Sequence, residues 1–367
     1  MTDLARAVDK LVETASSGTK GKALQKAVSA VVDAFDATDA KAAKTALAKL
    51  DKSVAGAKGH ALQVLQLTIG ALVEAGAPPE AAWPAVSREL EAALEGATRF
   101  AMGCAQAAKT PHVETAVAKA GAKVAKKSPD DAAAWEALPS RCLAAVACLT
   151  RSAKVRAAAR KQGLLDTAYA LEDAVAEVGY LSQALRVLDD TKILVLHPEM
   201  QRGFRVRASE IGSNAELFVL LADAVVGDPK KGFLPGDKFD RRAIAALTGN
   251  TAPPKGSALV APFNFVAFTG LDADGTLPEP SEIEEHWIWF EGVPADIPEY
   301  DGVPVILLQD APFPRMLPME RSFEALSPKV EIVEKLAALA AKKILSTIAK
   351  SIAKPAKKPK RKAAKRR

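Results

Sequence analysis

Aromatic side chains are scarce, at 5% of 367 residues, and nearly missing from the start of the chain, where Phe35 stands alone before residue 81. An alanine-rich, aromatic-poor opening excludes a sheet-dominated start and favours close-packed helices. Cysteine is equally sparse. Cys104, Cys142 and Cys148 are odd in number and share no repeated spacing, which argues against a disulfide framework or a zinc site and leaves them as small buried hydrophobes. No apolar run free of charge is long enough to span a bilayer, and Met1-Thr2-Asp3-Leu4-Ala5-Arg6 has no apolar signal core, so a cytoplasmic location is expected. Several catalytic signatures are missing as well: GxGxxG after a strand, GxxxxGK[ST], GxSxG and HExxH. Their absence lowers the enzyme reading without excluding it, and no cofactor or metal is expected.

What is present is ordinary globular composition, 49% hydrophobic and 26% charged, in a chain long enough for two or three domains. The net charge of +6 is unevenly placed. Lys354, Lys357, Lys358, Lys360, Arg361, Lys362, Lys365, Arg366 and Arg367 put nine cations and no acid into the last fourteen residues. Taking them away leaves the preceding 353 residues at −3. The basic character belongs to that tail.

Apolar spacing predicts consecutive helices up to about residue 190. Leu24, Val28, Val31, Val32 and Phe35 mark one, and Leu62, Leu65, Ile69, Leu72 and Val73 another, stopped at Gly76-Ala77-Pro78-Pro79. The lysine-rich stretch 123–130 reads as an exposed connection and a subdivision point. Leu138 to Thr150 followed by Ala153 to Asp166 resembles a single armadillo or HEAT-type repeat, but no second copy follows at a fixed period, so an irregular helical array is the expectation.

Strand signals begin at Ile193-Leu-Val-Leu196 and continue at Phe204–Arg207, Leu259–Phe268, His286–Phe290 and Val303–Leu308, the last two expected to pair antiparallel. Helices are expected at Glu216–Val226, capped by Asn214, and at Lys238–Leu247. The expected architecture is multi-domain: an all-α helical module over 1–190, then an α+β domain with a mostly antiparallel sheet over 191–327. An amphipathic helix over 328–353, with Val333, Leu336, Ala337, Ala340, Ile344, Ile348 and Ile352 on one face, leads into a disordered Lys/Arg-rich tail, 354–367.

The tail has the most direct physical reading. Nine cations attract phosphates by counterion release, and nothing positions a side chain against base edges, so nonspecific nucleic-acid binding is expected. The segment resembles the Lys/Ala/Pro-rich tails of linker histones and some bacterial nucleoid proteins, which implies nucleoid association. Lys357-Lys-Pro-Lys-Arg-Lys362 would also serve as a nuclear localisation signal in a eukaryote. The leading expectation is a non-enzymatic interaction or scaffold protein with room for a protein partner on the helical module. One alternative is an enzyme or small-ligand sensor using His197 and Glu199 as an acid/base pair and Arg202, Arg205 and Arg207 as an anion clamp. Another is a peripheral membrane protein anchored by the basic C-terminal helix.

Overall fold

The computed structural model describes residues 3–18, 21–249, 251–252, 258–319 and 321–353. The chain divides into two compact units, Met1–Arg186 and Val187–Arg367.

The first unit is helical. Its elements are α1 (Asp3–Ser16), α2 (Lys22–Asp33), α3 (Ala40–Gly56), α4 (Gly59–Glu74), α5 (Pro79–Ala108), α6 (Val113–Lys127), α7 (Pro129–Leu149), α8 (Ala153–Lys161), α9 (Leu164–Tyr169) and α10 (Ala176–Leu185). The long α5 and α7 pack on each other at its centre, with α4 and α10 against α7 and α6 against α5. Small residues set the spacing: a Cβ added at Gly70 of α4 would lie 3.1 Å from the Cα of Ala144 on α7. By length and composition α7 could cross a bilayer, yet more than half of it is buried inside this unit. All three cysteines are buried and unpaired, and burial pushes the thiols of Cys142 and Cys148 up to about 12. The lysine-rich stretch expected to be a connection is mostly the last turn of α6, with Ser128 alone between α6 and α7. Cations there oppose the negative helix end.

The second unit is a six-stranded mixed sheet with helices on it. It is built from β1 (Thr191–His197), β2 (Arg202–Ser209), α11 (Asn214–Val225), α12 (Arg241–Leu247), β3 (Ala258–Ala267), β4 (Glu299–Tyr300), β5 (Val303–Pro318), β6 (Lys329–Leu336) and α13 (Ala338–Ile352). The strand order is β3-β5-β1-β2-β6, with β4 on β5; β1 and β5 run parallel and every other pairing is antiparallel. Ile193, Val195, Phe204, Ile306 and Leu308 pack on one face with Leu217, Phe218 and Leu221 of α11. Leu194, Leu196, Val305 and Leu307 pack on the other with Ala341, Leu345 and Ile348 of α13. Gly203 permits that second approach, since a Cβ there would come within 2.8 Å of the side chains of Leu196 and Leu336.

Several expectations are corrected here. Residues 329–336 form a strand, so the helix expected over 328–353 begins only at Ala338. Val333, Leu336, Ala337 and Ala340 satisfy a helical period. However, Val330, Ile332 and Val333 are β-branched, and Glu331 and Glu334 stand opposite Arg207 and Arg205 on the edge of β2. Tertiary pairing wins over local periodicity. The expected strand His286–Phe290 is a 3-10 turn, Glu284–His286, followed by a single bridge from Trp287 to Val266. It does not pair with the strand from Val303, whose neighbours are β1, β3 and β4. The proline-dense stretch continues β5: Asp310 pairs with Phe263 and Arg315 with Ala261, leaving 311–314 bulged where no ladder donor is required. Helix α12 starts at Arg241, three residues later than expected, where Asp240 accepts from the Arg242 N–H.

The cap of α11 is Ser213, not Asn214, because Ser213 and Glu216 form a reciprocal capping box. Glu216 is fully buried and accepts from the backbone N–H groups of Gly212 (2.7 Å), Ser213 (3.2 Å) and Ser322 (2.6 Å). Burial raises its pKa, and those three N–H groups act against the rise. Removing the carboxylate leaves the donors stranded, so Glu216→Ala is expected to cost roughly 2–4 kcal/mol in urea unfolding of the full chain. A loss within a few tenths of a kcal/mol would show that water replaces it without penalty.

Candidate functional site

Strand β1 ends at His197, and the turn that follows sets the local chemistry. The side chain is 1% exposed, with its ring edge against Phe263 at a centroid distance of 6.0 Å. Nδ1 accepts from the Met200 N–H at 3.4 Å, which assigns the proton of the neutral ring to Nε2. That Nε2 is buried without a hydrogen-bond partner and lies 3.9 Å from Asp310 Oδ1. Burial lowers the His197 pKa; the carboxylates of Asp310 and Glu199 oppose the shift.

His197 and Glu199 line a cleft of about 530 Å³ with Thr276, Pro278, Gln309 and Asp310. Gln309 donates its Nε2 to the Pro278 carbonyl at 2.8 Å, while its Oε1 is buried and unmatched. The cleft is therefore lined by His197 and Gln309, whose unmatched donor and acceptor are buried in its wall, and by carboxylates at Glu199, Glu279 and Asp310. Such a lining suits a hydroxyl-bearing or cationic molecule and disfavours an anion.

The arginines expected to clamp an anion do not converge there. Directly paired residues share a face of the sheet, and His197 stands opposite Arg202 while Leu194 stands opposite Arg205. Arg202 is thus on the side of His197, and Arg205 and Arg207 are on the other. Arg205 donates to Glu334 at 3.1 Å, and Arg207 lies 3.1 Å from Asp190. The structure brings His197 and Glu199 together, keeps Arg202 beside them across the strand pair, and separates Arg205 and Arg207. Among the described residues no three His, Cys, Asp or Glu side chains gather around one point. The tail residues Lys354, Lys357, Lys358, Lys360, Arg361, Lys362, Lys365, Arg366 and Arg367 lie outside the described residues.

A second polar centre escapes the sequence. Arg315 of β5 is 6% exposed and donates to Asn264 Oδ1 on β3, and its guanidinium lies 5.5 Å from the Trp287 ring centroid and 5.1 Å from that of Trp289. Burial pushes the guanidinium below its usual pKa, with Glu291 acting in the opposite direction. Trp287 is buried, but Trp289 is 45% exposed. The available signal was a lone arginine in an apolar run, Phe313-Pro-Arg-Met316.

A depressed histidine pKa has a definite sign. The unfolded chain takes up a proton near 6.5 while folded His197 resists it, so this group's contribution is complete above 6.5 and is lost as pH falls toward the folded value. His197→Gln is expected to flatten the fall in stability as pH drops below about 6.5. Equal slopes in the wild type and the variant would contradict the buried neutral imidazole.

Comparison with known proteins adds no relative: the chain matches no family model, no curated protein and no solved structure.

Proposed function

We propose that the chain is a non-enzymatic interaction protein that holds nucleic acid nonspecifically through its basic C-terminal segment. The supporting observation is charge segregation. Nine cations occupy the last fourteen residues without an acid, while the rest of the chain is net negative. Within the units, several arginines are matched locally: Arg88 with Asp51, Arg99 with Asp131, Arg186 with Glu172, Arg205 with Glu334, Arg207 with Asp190 and Arg241 with Asp223. Such pairs add little stability, but each cancels the field a phosphate would feel. The helical unit is then free to take a protein partner. The setting is cytoplasmic, at the nucleoid or, in a eukaryote, in the nucleus. A membrane role is weaker, since the apolar face of α13 is spent on the sheet, leaving charge alone to attract lipid.

A second reading, a small-molecule sensor, is favoured by one observation: His197 Nε2 and Gln309 Oε1 are an unspent donor and acceptor lining the same cleft. A thermal-shift series of polyols and amines tests it. A stabilising compound whose effect disappears in Asp310→Asn supports the sensor, and no shift by any compound removes it.

For the leading proposal, full-length and tail-deleted protein (lacking Lys354–Arg367) are titrated with duplex DNA over a range of salt. The full chain is expected to lose about a thousandfold or more in affinity between 50 and 200 mM salt if six or more phosphates are neutralised, and the truncated chain to bind negligibly. Binding that survives truncation, or that ignores salt, would contradict the proposal.

A further inference from the structure

Arginine cannot escape burial as histidine does. His197 gives up its charge, but a guanidinium stays protonated in a protein and must be answered by hydrogen bonds or by an opposite charge. Arg315 is nine-tenths buried and only partly answered. One terminal nitrogen donates to Asn264; the other, Nη2, is buried with no partner. The two indole rings stabilise the cation through their faces, yet accept no N–H bond. Among the described residues no carboxylate makes an ion pair with Arg315; Glu291 acts on it only from beyond that distance.

The unspent groups around it are mostly donors. Trp287 Nε1 is buried without a partner, as is Asn264 Nδ2. Asn264 stands opposite Gln309 in the β3–β5 register and leaves its Nδ2 unmatched there. Beside it remain Arg315 Nη2 and Trp287 Nε1, and neither can accept. Their chemical complement is a group with two acceptor oxygens and one negative charge. A dianionic phosphate calls for more than one cation, so a carboxylate fits the single charge of Arg315 better.

The rim says what the carboxylate is attached to. Trp289 and Phe313 are 45% and 52% exposed, and their ring centroids lie 5.4 Å and 5.9 Å from Trp287. Exposed aromatic faces over a buried polar anchor take a flat apolar group. We propose that Arg315 and Trp287 receive the carboxylate of a small aromatic acid whose ring lies on Trp289 and Phe313.

The test uses the full chain and phenylacetate as probe, read by tryptophan emission and by thermal shift. Phenylacetamide, which has the same shape without the charge, and inorganic phosphate serve as comparisons. Phenylacetate is expected to bind saturably and to raise the melting temperature, with phenylacetamide and phosphate about tenfold weaker or worse. Arg315→Lys should keep the charge but weaken phenylacetate by a similar factor, and Trp289→Ala, at a half-exposed position, should weaken it with the circular dichroism unchanged. No saturable response of the wild type, equal binding of acid and amide, or tighter binding of phosphate would overturn the proposal and leave Arg315 as an internal brace between two rings.

Discussion

Strands β1 and β5 are apolar on both faces, and that constraint governs the sheet-bearing unit. Ile193 to Leu196 and Val305 to Leu308 are all buried, so each face must be covered. Helix α11 covers one side and α13 the other, and at about 1.5–3 kcal/mol for each large aliphatic side chain these covers dominate the unit's stability. Covered faces leave polar chemistry only where strands end, bulge or lie near an edge. His197 sits at the end of β1, Arg315 beside the β5 bulge, and Arg205 and Arg207 on β2 near the β6 edge.

The two buried basic groups show how much follows from intrinsic pKa. His197 starts near 6.5, so modest desolvation keeps it neutral at physiological pH and turns Nε2–H into a simple donor. Arg315 starts far above physiological pH, and burial lowers its pKa without discharging it. The same burial therefore yields a cleft suited to neutral or cationic molecules at one place and a demand for an anion at the other. Spacing in the sequence could not separate these outcomes, because both depend on which strands meet.

Much of the secondary structure was legible where local and tertiary preferences agree. The helix spacing of Leu62 to Val73, the continuous apolar run Ile193–Leu196 and the alternation of Phe204–Arg207 all appear as read. Reading failed where a partner strand decided the matter: residues 329–336 fit a helical period, and only pairing with β2 makes them a strand. The parallel alignment of β1 with β5 joins residues more than a hundred positions apart and leaves no local trace. At the candidate site, His197 and Glu199 were visible because they adjoin a strand end. Asp310 and Gln309 reach the same cleft from β5, and Arg315 was hidden among prolines.

Charge divides the chain into a net negative body in which several arginines are paired with acids and a terminal segment whose cations have no acid among them. Cross-linking of the full chain to duplex DNA, followed by mass spectrometric mapping of the adducts, tests that division directly. The account predicts adducts on peptides spanning 354–367, lost together at high salt. Adducts concentrated on β2 at Arg205 and Arg207, or on the lysines of the helical unit, would contradict it.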